Sequence, residues 1–198
     1  EKLVVETSFG GVSVWDWASG CRQAERHTRP IPFYSVVAFD DAKRIAGIAG
    51  TREGNIVAQI VDTTKDLMGP TFASEGRRFM SIAVSPKNNW LALGDHLGMV
   101  VLVDTEKNQI FPWGQLNEHK AAIGPMCFSD DGSVLVTSSA AGEVKWWDLP
   151  AKPDASTKPP ISRLTFSPQR QTLFRLALSP DNSRTAAAPS PRPSPSRG

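Results

Sequence analysis

The sequence predicts an all-β chain arranged as a propeller of antiparallel blades, about four to five of them, and three observations predict it. The first is the stretch Met126–Asp148, MCFSDDGSVLVTSSAAGEVKWWD, whose short alternating runs are broken by Asp130-Asp131-Gly132 and by Ala141-Gly142. Period-2 alternation with Asp and Gly at the breaks spells three antiparallel strands joined by two hairpins. The second is a phase marker. Strands reading VSVWD, IVAQIVD, VVLVD and VKWWD stop at Asp16, Asp62, Asp104 and Asp148, with separations of 46, 42 and 44 residues. The third is that the first strand of each unit recurs in step, as VVAFDD (Val36–Asp41), SIAVSP (Ser81–Pro86), MCFSDDG (Met126–Gly132) and LALSPDN (Leu176–Asn182). One such piece is too small to bury a core. Repeated at a period in the low forties, it becomes a blade.

The elements follow in order from this phasing. Lys2–Thr7 falls where a second strand belongs, Val12–Asp16 is a third strand, and Cys21–Arg26 is an outer strand. Glu25–Pro32 is a polar, Pro-containing link, in which His27 lacks His, Cys or carboxylate neighbours at metal spacing and reads as a solvated loop histidine. Phe33–Asp40 is the next inner strand, with Arg44–Ala49 and Asn55–Asp62 as its partners and Leu67–Phe72 outside them. A Gly stands six residues before the marker at Gly10, Gly98 and Gly142 but eight before it at Gly54, so that hairpin is expected to carry two extra residues or a bulge.

Phe79–Ser85 is the third inner strand, and Asn88-Asn89-Trp90 turns into Leu91–Leu93, with Trp90 read as core or rim packing in preference to a partner contact. Lys107–Trp113 is an outer strand, where Pro112 is tolerable at an edge. Residues 150–198 hold ten of the sixteen prolines and a charge of +6, against −4 for residues 1–149. Ala151–Pro160 is therefore a Pro/Lys linker, followed by Ile161–Phe166 as an outer strand, Leu173–Ser179 as the fifth inner strand, and Thr185–Ala188 leading into another.

These units resemble the WD40-repeat β-propellers. The Ser-Pro or Asp-Gly turn, the small-residue strand and the terminal Trp-Asp match that family's repeat over residues 1–188, as a degenerate array. The resemblance implies four-stranded blades, repeat ends near 16, 62, 104 and 148, and a partial last repeat over 161–188. Because the chain opens on a second strand, it is expected to be part of a larger ring. Residues 189–198, PSPRPSPSRG, form a Pro/Ser/Arg-rich low-complexity tail that suits neither a ladder strand nor the repeat, and a frameshift or read-through origin is expected for it. The family also braces its blades with a buried tetrad: a His before the first strand, a Ser or Thr, a hairpin Asp, and Trp. In the fourth unit the matching positions are His119, Thr137, Ala141 and Trp147, with Ala141 in place of the Asp that orients the His. The same offsets give Leu93, Leu97 and Val103 in the third unit, and Val5, Phe9 and Trp15 in the first. Those blades are expected to rest on apolar packing, because a polar network is worth burying only when complete.

No G-x-S-x-G elbow, Walker loop, H-E-x-x-H or G-x-G-x-x-G occurs, and no metal or cofactor site is expected. Cys127 alternates with core positions and reads as a small buried hydrophobe, and a disulfide with Cys21 is not expected. Two cysteines and no signal-like segment make the cytoplasm the expected compartment. A net charge of +2 is too small to argue for nucleic acid, no apolar run of membrane length is present, and no small-molecule substrate is evident.

The family resemblance implies a non-catalytic scaffold for protein or peptide partners, reached through its loops. Arg29, Arg77, Arg78 and His96 are the candidate contact residues, since Arg is enriched at binding hot spots, against a plain reading in which all four are solvated. One alternative is a sensory segment of a larger bacterial protein whose kinase, protease or NTPase module lies elsewhere. The other is an enzymatic propeller, which needs carboxylates or metal ligands at the starts of the inner strands. Those starts read Phe33-Tyr34, Phe79-Met80, Ile123-Gly124 and Leu173-Phe174, all apolar.

Overall fold

A computed structural model of the chain describes residues 2–6, 11–16, 18–19, 21–27, 33–39, 43–51, 53–65, 67–73, 76–151, 157–167, 173–179 and 185–189. Every regular element among them is a strand, and no helix is long and apolar enough to cross a membrane. The strands make five antiparallel sheets in chain order. The first holds β1 (Lys2–Glu6), β2 (Gly11–Asp16) and β3 (Arg22–His27). The second holds β4 (Phe33–Phe39), β5 (Arg44–Gly50), β6 (Ile56–Asp62) and β7 (Leu67–Phe72). The third holds β8 (Phe79–Val84), β9 (Trp90–Asp95), β10 (Val100–Asp104) and β11 (Gln109–Leu116). The fourth holds β12 (Ile123–Phe128), β13 (Val134–Ser139), β14 (Val144–Asp148) and β15 (Ser162–Phe166), and the fifth pairs β16 (Leu173–Leu178) with β17 (Thr185–Pro189).

Each sheet meets the next through its first strands, β4 against β8, β8 against β12 and β12 against β16, while β1 meets β4 from the second-strand position. The middle strands are therefore covered on both faces. β9 and β13 are buried along their whole length, which is why WLALGD and VLVTSS read as continuous small and apolar runs with little alternation. Alternate residues of one strand feed two cores. Val101, Val103, Leu91 and Leu93 pack toward the second sheet with Ile48, Ile60 and Phe72, whereas Val100, Leu102, Trp90 and Ala92 pack toward the fourth with Phe128, Leu135 and Trp147. Each fully buried side chain of this size contributes about 1.5–3 kcal/mol. Trp90 meets Phe111 edge to face at 5.5 Å, so it is a packing residue.

At the end where the phase-marking Asp residues lie, polar ties cross between sheets. Arg44 Nη1 donates to the Thr105 carbonyl at 2.9 Å, and Asn88 Nδ2 donates to the Gly132 carbonyl at 3.1 Å. Gly132 sits at φ 71°, where a β-carbon would also meet Asn88 Nδ2 and Ser85 Oγ, so the turn there favours glycine.

Several boundaries differ from the sequence reading. His27 closes β3 opposite Gly11 and does not stand in a loop. β11 runs further than expected, to Leu116, because its second half pairs with Val100 and Val101 beyond an irregularity in the ladder. The hairpin containing Gly54 carries neither extra residues nor a bulge. Thr51 N to Asn55 O closes it just as Asp95 N to Met99 O and Ser139 N to Glu143 O close the others. The two additional residues instead lengthen the β5–β6 ladder, whose register is unbroken from Arg44↔Asp62 to Gly50↔Ile56. β17 extends to Pro189 opposite Leu173, the first residue of the Pro-rich tail, and residues 190–198 lie outside the described set, as do 152–156 of the linker.

Candidate functional site

The end of the sheets that carries the second hairpins gathers most of the residues singled out by sequence. In the fourth sheet it holds a buried relay. Trp147 Nε1 donates to Thr137 Oγ1 at 2.9 Å, Thr137 Oγ1 lies 2.7 Å from His119 Nε2, and His119 Nδ1 lies 3.3 Å from Glu143 Oε2. One assignment satisfies all three contacts: neutral His119 donates from Nδ1 to Glu143 and accepts the Thr137 hydroxyl at Nε2. Burial holds the His119 imidazole below its ordinary pKa of 6.5, against the opposing pull of Glu143. The acid comes from Glu143, two residues beyond Ala141, the position where the family pattern places it. Glu143 was visible in the sequence only as the last residue of the hairpin, opposite Ser139.

Beside this relay, Glu118 accepts from Ser162 N at 3.2 Å and from Ser162 Oγ at 2.5 Å, with Lys145 Nζ at 3.5 Å. Burial raises the Glu118 carboxyl, but those hydrogen bonds and the Lys145 charge outweigh it and hold the pKa below its ordinary value. Glu118 thereby fastens the link before β12 to the outer strand β15.

The third sheet departs from the apolar interior expected of it. Asp95 is fully buried and pairs with Arg77 Nη1 at 2.6 Å, while its other oxygen accepts from Leu97 N at 2.9 Å and Met99 N at 2.8 Å. Asp95 lies outside the family offsets, so the pattern could not flag it; an Asp-x-x-Gly turn was its only signal. Arg77, read as a contact residue, is committed to this pair.

Arg78 and His96 stand together: the Arg78 amide donates to His96 Nδ1 at 3.1 Å, and the His96 amide donates to the Arg78 carbonyl at 3.0 Å. With Nδ1 accepting, the ring hydrogen sits on Nε2. Arg29 lies outside the described residues. Cys21 and Cys127 are both free thiols, and burial pushes Cys127 up to about 11, which makes it inert. Among the described residues no group of three or more His, Cys, Asp or Glu side chains is placed to hold a metal ion.

Five successive antiparallel sheets, four-stranded where complete and stacked through their first strands, define a WD40-type β-propeller fold. The chain superposes on the crystal structure of the Myceliophteria thermophila Cps50 (Swd1) β-propeller domain with a TM-score of 0.73 and 16% identity, covering 94% of this chain and 61% of that one. It superposes on a chain of the Mitotic Checkpoint Complex with a TM-score of 0.71 and 19% identity, covering 94% and 54%. At these identities the likeness concerns the fold. No family model matches the sequence. Among curated proteins, the COMPASS component SWD1 of Saccharomyces cerevisiae is 38% identical over 73 residues, 35% of this chain and 17% of the relative. The U3 small nucleolar RNA-associated protein 18 homolog of Arabidopsis thaliana is 29% identical over 84 residues, 42% of this chain and 15% of the relative. The matched stretches thus span less than a fifth of these relatives.

The expected cytoplasmic location is overturned by these relatives, the second of which is nucleolar by name. The reason is physical. Cysteine usage reports the redox state of a compartment, and nucleus and cytoplasm are both reducing. Both relatives are eukaryotic, and neither supports the bacterial sensory alternative.

Proposed function

We propose that the chain is a non-catalytic interaction module that seats protein partners on the hairpin end of its sheets. The observation that carries this is the placement of exposed apolar side chains at that end. Tyr34 is 65% exposed, Met80 55% and Leu97 54%. Tyr34 and Met80 are each the second residue of a first strand, at a point where the ladder slips: Phe33↔Ala49 is followed by Ser35↔Ile48, and Phe79↔Asp95 by Ser81↔Gly94. A bulge at a sheet rim re-aims the side chain it carries. Exposed apolar groups gathered on a rigid scaffold are a usual mark of an interaction surface. The likeness to propellers named as parts of a Mitotic Checkpoint Complex and of COMPASS supports the same reading.

Affinity purification of the tagged chain, beside a variant with Tyr34→Ala, Met80→Asp and Leu97→Asp, tests it. A stoichiometric protein partner is expected with the wild type and is lost with the variant, while thermal melting stays the same. Partners indifferent to the variant, or recovered only while RNA is intact, would sink this reading.

A further inference from the structure

We infer that the hairpin end of the third and fourth sheets takes an acidic peptide segment with apolar anchors, its carboxylates seated on Arg78, His96 and Lys120 and its apolar side chains on Met80 and Leu97. The inference rests on the interaction-module reading above and adds the chemistry of the partner.

It follows from an accounting of charge. Two of the described carboxylates at this end are neutralised by a cation, Asp95 by Arg77 and Glu118 by Lys145, and Glu143 is held by the Nδ1–H of neutral His119, which orients the carboxylate without cancelling its charge. Glu53, on the hairpin of the second sheet, is exposed. The cations divide differently. Arg77 and Lys145 are consumed, but Arg78 and Lys120 are exposed and, among the described residues, make no ion pair. His96 adds a donor, because its Nδ1 accepts the Arg78 amide and its Nε2–H is left to point elsewhere.

These donors and the apolar anchors share one surface. Leu97 follows His96 directly, and Met80 lies two residues after Arg78. Gly98, at φ 97°, brings the third-sheet hairpin against the carbonyl oxygens of His119 and Ala121, the residues that flank Lys120. Leu97 and Lys120 therefore stand on abutting segments of neighbouring sheets. Guanidinium, imidazole N–H and ammonium groups beside exposed aliphatic side chains complement carboxylates spaced between apolar residues. A basic or purely apolar segment would leave Arg78 and Lys120 desolvated without partners.

The test uses the whole chain and two short fluorescein-labelled peptides, one alternating Glu with Leu and Phe, the other with every Glu replaced by Gln. The Glu peptide is expected to bind, to weaken with added salt, and to bind at least roughly tenfold tighter than the Gln peptide. Arg78→Glu with Lys120→Glu should remove that preference, and Leu97→Asp should weaken both peptides by roughly tenfold. All substituted side chains are exposed, so unchanged melting verifies the fold. Equal affinity for the two peptides overturns the inference, as does indifference to Arg78→Glu with Lys120→Glu, or tighter binding of a single-stranded RNA oligonucleotide through the same residues. A co-purifying partner that needs Leu97 but not Arg78 or Lys120 overturns the acidic chemistry alone and leaves the module reading standing.

Discussion

The third and fourth sheets close their hairpins with the same backbone bond, Asp95 N to Met99 O and Ser139 N to Glu143 O, both 2.9 Å. They hold Gly98 and Gly142 at positive φ in the same place. Their polar interiors nevertheless share nothing. The third sheet buries an ion pair at the hairpin mouth, where Asp95 both pairs with Arg77 and caps two amides. The fourth buries a neutral relay deeper in the sheet, through Trp147, Thr137 and His119, and at the position of Asp95 it has Ser139, whose hydroxyl makes no hydrogen bond. The blade architecture requires that this end of the sheet be fixed, and it accepts two unrelated devices for doing so.

The largest expected effect lies at the two hairpin mouths. Asp95→Ala leaves the Arg77 guanidinium without its carboxylate and strips the Leu97 and Met99 amides of their acceptor. The expected loss is about 4 kcal/mol in urea denaturation, within the usual cost of removing one member of a buried, hydrogen-bonded pair. Ser139→Ala deletes a hydroxyl that bonds to nothing and should change stability by less than about 0.5 kcal/mol. Similar losses at the two positions would show that the hairpin mouth, and not the ion pair, carries the stability.

The next largest effect separates the second and third sheets. Gly98 has positive φ and backbone of the neighbouring sheet against its α-carbon, whereas Gly54, at φ 83°, faces open space. Gly54→Ala meets only the conformational penalty, about 1 kcal/mol. Gly98→Ala must also push the His119 and Ala121 carbonyls away, and about 3 kcal/mol is expected by the same denaturation. Equal costs would mean that the third and fourth sheets are not held against each other through Gly98.

This contrast also marks how far the sequence could be read. The strands and their phase were legible, because period-2 runs with Asp-Gly and Ser-Pro breaks report backbone geometry directly. The propeller followed from that phase, and its WD40 type from the resemblance carried by the turns and the terminal Trp-Asp. His119, Thr137 and Trp147 were named because they sit at the family's offsets. Glu143 and Asp95 were not, because a side chain's reach into the next turn leaves no trace in a positional pattern. The bulges at Tyr34 and Met80 were equally hidden. They lie on first strands that pack against those of neighbouring sheets, and the local sequence carries no mark of them. Arg77 and Arg78 are neighbours of the same residue type, yet one is paired with a buried carboxylate and the other is exposed. Only the position of Asp95 distinguishes them.

Within the fourth sheet, Thr137→Val removes the atom that joins Trp147 to His119 while keeping the volume. It leaves the indole N–H and one imidazole nitrogen buried without partners, and about 2 kcal/mol should be lost. If the relay were merely tolerated, Val would be neutral, and the third-sheet ion pair would then be the sole polar brace of the two.

The smallest effect is one that only the relay should show. Because burial lowers the His119 pKa from 6.5, the unfolded chain takes up a proton in a range where the folded chain does not. Stability from this group is complete above the ordinary imidazole pKa and declines as pH falls below it toward the folded value. Glu143, Lys145 and Glu118 face the ring, and the carboxylate held low at Glu118 titrates beneath this range. The urea midpoint of the wild type should therefore fall between about pH 7.5 and about pH 5.5, and His119→Gln, which has no proton to gain, should flatten that fall. Asp95→Ala should leave the slope unchanged, since that substitution does not touch the His119 relay. A midpoint that rises on acidification would instead mean that the Glu143 carboxylate, held 3.3 Å from Nδ1, outweighs burial and stabilises a charged His119.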